Sequence, residues 1–263
     1  MLAPASLPVK FSMWNRSEGA PGGYERPRRA LFRFLYSDEA WLRLRGPFAV
    51  QPGNNASRRY EYPWAYHAIQ LSRRSNVVEL GGSLSGFQFV LSREGHRVTN
   101  IDPGLDADGM GWPVDTAQIA RMNSLFGTKV DLIQTTLDKA DLKICSADAV
   151  FAISVLEHLT QAELDEVIRH VQLCLRPGGH FVVTLDLFLN IAPFTSVLNN
   201  RYGCNKDVFR LVSQSNMCLL KGVENELFGF PSFHAESVLS NLADYMIGSY
   251  PTLTQCFVLQ KPY

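Results

Sequence analysis

From Asn76 onward, short runs rich in β-branched residues alternate with amphipathic segments of helix length. This alternation is typical of a parallel sheet whose strands are joined by crossover helices. Strands are predicted over residues 77–80, 98–101, 130–133, 149–153 and 180–185, with a last strand at 255–259. The pattern therefore predicts an α/β protein with a doubly wound, mostly parallel sheet.

The clearest predicted helix covers residues 162–175, where apolar side chains recur at the spacing of one buried stripe. Thr160 and Glu163 have the spacing of a capping box, in which each side chain accepts a hydrogen bond from the other residue's backbone. The sequence Arg-Pro-Gly-Gly at 176–179 is expected to end this helix. A further helix is predicted over residues 235–247.

The charge balance argues against polyanionic partners. The chain has 25 basic and 25 acidic residues, so its overall field would attract neither nucleic acid nor an anionic membrane. Its apolar stretches are shorter than the roughly 20 residues that span a bilayer, and its first residues lack the basic region of a signal peptide. We expect a cytoplasmic protein with no nucleic-acid or membrane partner; its oligomeric state stays open, a homo-oligomer included.

The first 58 residues differ in composition from the rest, because proline, glycine and arginine are concentrated there. They are predicted to form an N-terminal helical lid on a main domain at 59–263, in which 186–263 supplies a ligand pocket and the final strands. Arginines and aromatic residues alternate over residues 24–45, which also suggests nucleic-acid binding. We favour the lid, since the remainder of the chain adds no surplus of basic residues.

A loop of small residues follows the first predicted strand and runs from Glu79 to Gly86. Such a loop lets the backbone approach a ligand at the crevice where open α/β sheets bind. Asp102 ends the second strand and is placed to accept hydrogen bonds from two ribose hydroxyls. A dinucleotide is disfavoured, because the loop lacks GxGxxG spacing and Glu79 would repel a pyrophosphate while suiting an ammonium group.

Four motifs resemble those of class I S-adenosylmethionine-dependent methyltransferases, specifically the UbiE/UbiG-like branch that acts on small molecules. They are residues 79–86, 101–102, 148–159 and 175–179, in the order and spacing of that family. The resemblance covers roughly residues 60–190. It implies a Rossmann-like seven-stranded sheet, S-adenosylmethionine as cofactor and a small-molecule methyl acceptor.

The resemblance also implies cofactor contacts, which we predict at Arg59, Glu79, Gly81, Gly82, Ser83, Asp102, Pro103, Thr136, Leu137 and Ser154. The loop after the first strand matches the part of the family's site that holds the methionine moiety. Asp102 matches the ribose carboxylate, and the residues at 103, 136 and 137 match the surroundings of adenine. Ser154 matches the position beside the sulfonium, and Arg59 is a candidate partner of the cofactor carboxylate.

Two departures from the family pattern stand in the loop, where Ser83 and Ser85 replace the usual glycines. They leave open whether the loop tolerates serine or binds the cofactor less tightly. A third departure is Ser154, which occupies a position where some relatives carry a metal-binding glutamate. No metal site is therefore predicted.

His158 is the candidate catalytic base, because imidazole takes up protons near neutral pH; packing against the loop is the alternative role. Aromatic residues are frequent after residue 186, which favours a small, aromatic or apolar acceptor methylated on oxygen or nitrogen. Asp186, His67 and His234 are further candidates to line its pocket. Two other functions stay open: a methyltransferase-like enzyme that catalyses cyclisation or rearrangement, and a non-catalytic binding module.

Overall fold

The computed structural model describes residues 1–23, 38–51, 55–106 and 112–263. Residues 24–37 contain most of the arginine-rich segment, so the lid prediction for Arg26, Arg28, Arg29 and Arg33 lies outside the described residues. No helix in the described ranges is long and apolar enough to cross a membrane.

Seven strands form one sheet in the order β3-β2-β1-β4-β5-β7-β6. The strands are β1 (Asn76–Leu80), β2 (Arg97–Ile101), β3 (Val130–Ile133), β4 (Ala147–Ile153), β5 (Leu175–Phe188), β6 (Cys218–Lys221) and β7 (Thr252–Gln260). The first five run parallel, whereas β7 is antiparallel to both of its neighbours. The predicted seven-stranded, mostly parallel sheet is confirmed.

Helices cover both faces of this sheet. They are α1 (Val9–Glu18), α2 (Asp38–Arg45), α3 (Arg58–Ala68), α4 (Gly86–Arg93), α5 (Thr116–Phe126), α6 (Gln161–Cys174), α7 (Val208–Ser215) and α8 (Ala235–Ser240). One core packs α1, α3, α4 and α5 on one face through residues such as Phe11, Tyr60 and Phe87. Leu164 of α6 and Leu211 of α7 belong to the core on the other face.

The predicted capping box at the start of α6 is present, with Thr160 and Glu163 bonding each other's backbone N–H. The helix nevertheless ends at Cys174, and β5 begins at Leu175 rather than at residue 180. Leu175 pairs with Ala147 across an irregularity in the β4–β5 ladder. The Arg-Pro-Gly-Gly sequence is therefore incorporated into the strand, with Gly178 in the left-handed region at φ +74°.

The helix predicted over residues 235–247 is present, but the predicted length was wrong. Helix α8 ends at Ser240, and only a short 3₁₀ turn (Leu242–Asp244) follows. The side chain of Asn241 donates a hydrogen bond to the carbonyl of Ser237, so it competes with the helical pattern of backbone bonds. The amphipathic periodicity alone did not reveal this end.

The first residues pack on the main domain. Leu2 forms a β-bridge with Gln255 of β7, and the Ala3 N–H donates to the carbonyl of Thr254 at 2.9 Å. Trp14 of α1 lies in the core shared with α3 and α4. The predicted boundary between residues 58 and 59 falls within the first turn of α3. All five cysteines are free; Cys174 and Cys256 are buried, and the other three are exposed.

Candidate functional site

A cavity of about 240 Å³ opens at the carboxyl ends of β1, β2 and β4. Its lining includes all of the predicted site residues except one: Glu79, Gly81, Gly82, Ser83, Asp102, Pro103, Thr136, Leu137, Ser154 and His158. These residues come from four separate stretches of chain, and the parallel strands bring them to one edge of the sheet. The exception is Arg59.

The loop after β1 is built to let a ligand approach its backbone. Gly81 has φ +59°, and a Cβ there would lie 2.9 Å from a methyl group of Val155. The Gly82 N–H donates to Asn100 Oδ1 at 3.1 Å. A Cβ at Gly82 would meet both Asn100 and Glu79 at 2.9 Å. Both positions therefore require glycine for reasons of space or backbone conformation.

The two serines of this loop have different environments. Ser83 has φ +45°, and its carbonyl accepts hydrogen bonds from Gln88 Nε2 at 2.8 Å and Asn100 Nδ2 at 3.0 Å. Its hydroxyl has no partner among the described residues. Ser85 instead donates its hydroxyl to Glu79 Oε1 at 2.8 Å. The loop thus accommodates serine at 83 and uses serine at 85 to orient Glu79.

Glu79 is an acid with one free oxygen at the floor of the cavity. Its side chain is buried, at 2% exposure, and Oε2 has no hydrogen-bond partner within the described ranges. Burial raises its pKa to about 8, the Ser85 hydrogen bond opposes that shift, and the charge of Asp102 adds to it. A buried carboxyl with a free acceptor fits a ligand that brings a cationic donor such as an ammonium group.

Asp102 is held in place by two backbone donors. The Ser83 N–H donates to Oδ2 and the Gly104 N–H donates to Oδ1, both at 2.7 Å. Burial raises its pKa, and these two hydrogen bonds counteract the rise. Each carboxylate oxygen keeps a second lone pair, so an oriented Asp102 fits a pair of ribose hydroxyls.

Apolar residues also line the cavity. Leu137 is buried, and Pro103 and Thr136 contribute to the same lining. Trp112, which the sequence reasoning missed, joins them with 51% of its surface exposed. A half-exposed indole at the edge of a cavity offers a flat face to a ring such as adenine. Nothing in the sequence pattern distinguished Trp112 from an ordinary loop tryptophan.

Arg58, not Arg59, reaches the cavity. Successive helix residues point about 100° apart, so neighbours on α3 face different surroundings. Arg59 Nε lies 3.5 Å from Met246 Sδ, away from the lining residues. Arg58 forms an ion pair with Glu61, and its Nη1 also donates to the Ile153 carbonyl at 3.3 Å. The structure thus places Arg58 in the lining of the cavity and the predicted Arg59 outside it.

Ser154 lies at the turn that ends β4, with φ +49°. Its N–H donates to the Thr184 carbonyl at 3.0 Å, and its hydroxyl donates to Glu61 Oε2 at 3.0 Å. Glu61 also accepts a hydrogen bond from the Ser57 hydroxyl at 2.6 Å. Ser154 therefore connects the cavity to a buried polar cluster beneath α3.

His158 is exposed at the mouth of the cavity. Desolvation by the surrounding chain lowers its pKa below the ordinary 6.5, and the charges of Arg58 and Lys206 lower it further. The imidazole is therefore neutral at neutral pH and a weaker base than an ordinary histidine. This property weakens the prediction that His158 is the catalytic base.

Two further carboxyls lie beside the cavity without partners. Glu157 and Asp186 are 1% and 6% exposed. Both oxygens of Glu157 and Oδ1 of Asp186 lack a hydrogen-bond partner in the part of the chain described. Burial and the neighbouring Asp186 raise the pKa of Glu157 well above its ordinary value. Burial and the charge of Glu61 raise the pKa of Asp186 to about 7.

The other polar candidates do not line the cavity. His67 stacks on Phe11, with ring centroids 5.7 Å apart, in the packing between α1 and α3. His234 precedes α8. Across the described ranges, no group of three or more His, Cys, Asp or Glu side chains is arranged to hold a metal ion.

Comparison with known proteins gives a family match for the region that supplies most of the residues lining the cavity. Residues 78–181, less than half of the chain, match the family model described as a methyltransferase domain. No curated protein matches the chain.

Several solved structures share the fold. An S-adenosylmethionine-dependent methyltransferase from Mesorhizobium loti is 16% identical with a TM-score of 0.52, over 76% of this chain and 97% of the other. A 1,6-didemethyltoxoflavin N1-methyltransferase from Burkholderia thailandensis is 17% identical with a TM-score of 0.51, and the match covers 100% of this chain and 95% of the other. The geranyl diphosphate C-methyltransferase from Streptomyces coelicolor is 10% identical with a TM-score of 0.54, and the match covers 78% of this chain and 76% of the other.

Proposed function

We propose that this chain is an S-adenosylmethionine-dependent methyltransferase of class I, and that it methylates an oxygen or nitrogen atom of a small, aromatic or apolar acceptor. The observation that carries the proposal is that Glu79 and Asp102 line the same cavity as Ser154 and His158. The cofactor site and the space beside the transferable methyl group are therefore continuous. Membership of the UbiE/UbiG-like branch is part of the proposal.

In this proposal the loop after β1 and the residue after β2 bind different parts of the cofactor. Glu79 receives the ammonium group, and Gly81 and Gly82 leave room for the methionine moiety next to the backbone. Asp102 receives the ribose hydroxyls through the lone pairs that its two backbone donors leave free. The adenine lies among Pro103, Thr136, Leu137 and Trp112, which line the same cavity.

The remaining residues align the acceptor. S-Adenosylmethionine supplies an electrophilic methyl group on a sulfonium, whose departure needs no acid. The protein's main task is then to orient the acceptor in line and, where necessary, to remove its proton. In this proposal the reaction takes place beside Ser154, which lines the cavity at the turn after β4. His158 contacts the acceptor as a neutral ring.

The Burkholderia structure supports an acceptor of modest size, since it contains 1,6-didemethyltoxoflavin together with S-adenosylhomocysteine. The serines at 83 and 85 were the reason to consider a cyclisation or rearrangement. That reason is weakened, because the loop accommodates Ser83 and Ser85 donates a hydrogen bond to Glu79. The helical lid, the cytoplasmic location and the lack of nucleic-acid and membrane partners stay predictions from the sequence.

Calorimetry with S-adenosylhomocysteine tests the proposal directly. We expect binding of one molecule per chain with a dissociation constant of about 1–100 μM, an ordinary range for a cofactor product. Mass spectrometry should then detect S-adenosylhomocysteine formed from S-adenosylmethionine with a panel of aryl alcohols and arylalkylamines. A chain that binds neither form of the cofactor at millimolar concentration is not a methyltransferase of this kind.

A further inference from the structure

A buried acid of helix α3 lies behind the lining of the cavity. Glu61 is fully buried and is not among the lining residues, but it bonds two residues that are, Arg58 and Ser154. We propose that Glu61 is a positioning residue of the methyl-transfer site, which fixes Ser154 and offsets the charge of Arg58 so that a sulfonium can bind beside them. This inference rests on the proposed function and concerns how the same site accepts a cationic cofactor.

The carboxylate of Glu61 is saturated with donors. Its Oε1 accepts hydrogen bonds from the hydroxyls of Ser57 at 2.6 Å and Thr254 at 3.3 Å. Its Oε2 accepts from the guanidinium of Arg58 and from the hydroxyl of Ser154 at 3.0 Å. These donors come from the start of α3, from β7 and from the turn after β4. Two donors on each oxygen leave the carboxylate a single orientation.

The turn at Ser154 depends on such a fixed acceptor. Ser154 has φ +49°, in the left-handed region that residues with a side chain rarely adopt. Its N–H donates to the carbonyl of Thr184 at 3.0 Å, and its hydroxyl donates to Glu61. The two hydrogen bonds hold the backbone and the side chain of Ser154 separately. Glu61 therefore determines where the hydroxyl of this lining residue lies.

Arg58 brings a positive charge to the lining of the cavity. Its guanidinium and the Ser154 hydroxyl bond the same oxygen of Glu61, so this charge lies close to the proposed place of the sulfonium. Burial would lower the pKa of Arg58, but the charge of Glu61 outweighs burial and raises the pKa above its ordinary value. Two cations so close together repel each other. The ion pair between Arg58 and Glu61 offsets this repulsion.

Two other carboxyls act on Arg58, but they are weakly ionised at neutral pH. Burial and the charge of Glu61 raise the pKa of Asp186 to about 7. Burial and the charge of Asp186 raise the pKa of Glu157 well above its ordinary value. Glu61 is the acid that bonds the guanidinium directly. It is therefore the main source of negative charge beside Arg58.

Two forms of the cofactor separate charge from packing. S-Adenosylmethionine carries the sulfonium, whereas S-adenosylhomocysteine has a neutral thioether in its place. Glu61→Gln keeps the size of the side chain, and its amide can accept from Arg58 and Ser154 while it donates to the two hydroxyls at the other oxygen. The substitution thus removes the charge and keeps the contacts. All test proteins carry Asp186→Asn, because Asp186 would otherwise ionise and replace the lost charge.

The ratio of the two dissociation constants, measured by calorimetry at pH 7, tests the inference. In the Asp186→Asn background, Glu61→Gln should weaken S-adenosylmethionine at least about tenfold more than S-adenosylhomocysteine. Adding Arg58→Met removes the repelling cation and should return the ratio to within about threefold of the background. Asp131→Asn, an exposed control on the edge strand β3, also removes one negative charge and should leave the ratio unchanged.

Arg58→Met alone gives a change of the opposite sign. It leaves the charge of Glu61 without its partner, so S-adenosylmethionine should gain at least about threefold over S-adenosylhomocysteine. This variant decides the case if Glu61→Gln does not fold. Equal weakening of both ligands by Glu61→Gln, or an unchanged ratio in Arg58→Met, would overturn the role of Glu61 and leave the methyltransferase proposal standing. A wild-type protein that binds neither ligand overturns both.

Discussion

The acids that line the cavity and the two that lie beside it differ in how they are held. In the lining, Asp102 accepts two backbone hydrogen bonds, and Glu79 accepts one from Ser85. Beside the cavity, Glu157 and the Oδ1 atom of Asp186 lack a partner among the described residues. The lining acids are oriented before any ligand arrives. The other two are buried without hydrogen-bond partners, which costs free energy.

This difference indicates what each group of acids contributes to the protein. A preorganised carboxylate recognises a fixed pattern of donors, such as two adjacent hydroxyls, at little reorganisation cost. Buried acids without partners have raised pKa values and make the stability of the fold depend on pH. Ligand binding should therefore be sensitive to changes at Asp102 and Glu79, and stability to a change of charge at Asp186. Four predictions test this contrast.

The largest effect is expected for Asp102→Asn. One oxygen becomes an NH₂ group, which would face the N–H of Ser83 or Gly104 and force the loop to move. The ribose also loses a charged acceptor, so S-adenosylhomocysteine should bind about 100-fold more weakly. Calorimetry beside the exposed control Asp131→Asn measures this loss. A loss below about threefold would remove Asp102 from the cofactor site.

The same contrast explains what sequence alone could predict. Strands β1 to β4 were predicted to within two residues at each end, because their apolar runs are continuous. The loop at 79–86 and Asp102 follow one another along the chain, so their spacing is visible as a motif. The arrangement of the loop and Asp102 at the cavity could therefore largely be predicted from local sequence.

The cluster of Arg58, Glu157 and Asp186 could not be predicted from local sequence. Arg58, Glu157 and Asp186 come from a helix, a 3₁₀ turn and a strand that only the fold brings together. Asp186 was a candidate from its residue type, but its pairing with Glu157 left no signal in sequence. Strand β6 was also missed as a segment, because its side chains are mostly exposed and show no buried run.

The second prediction concerns the pH dependence of cofactor binding. Burial raises the pKa of Glu79 to about 8, so at pH 7 the free protein holds this carboxyl mostly protonated. A cationic ligand favours the ionised form, so affinity should rise about tenfold from pH 7 to pH 8.5. Calorimetry with S-adenosylhomocysteine measures this slope. Glu79→Gln should bind about tenfold more weakly at pH 8.5 and show only the titration of the ligand itself.

The third prediction concerns stability and the buried acid Asp186. Folding raises its pKa from 3.8 to about 7, so the stability of the protein is greatest below pH 4, falls between pH 4 and pH 7, and is constant above. Without ligand, Asp186→Asn should melt about 3 °C above the wild type at pH 8, and above it by about half of that difference at pH 5.5. Scanning calorimetry at both values provides the comparison. An equal difference at the two pH values would mean that Asp186 is not a strained buried acid.

The smallest effect separates the two loop serines. Ser83 uses only its backbone in hydrogen bonds and adopts φ +45°, so Ser83→Gly should stabilise the protein by up to about 1 kcal/mol and keep cofactor affinity. Ser85→Ala removes the hydroxyl that donates to Glu79 Oε1, so affinity should fall about threefold to tenfold. Thermal melts and calorimetry on both variants distinguish the roles. If Ser83→Gly weakened binding as much as Ser85→Ala, both serine side chains would contribute to cofactor affinity. The set of oriented groups would then include Ser83 as well as Asp102 and Glu79.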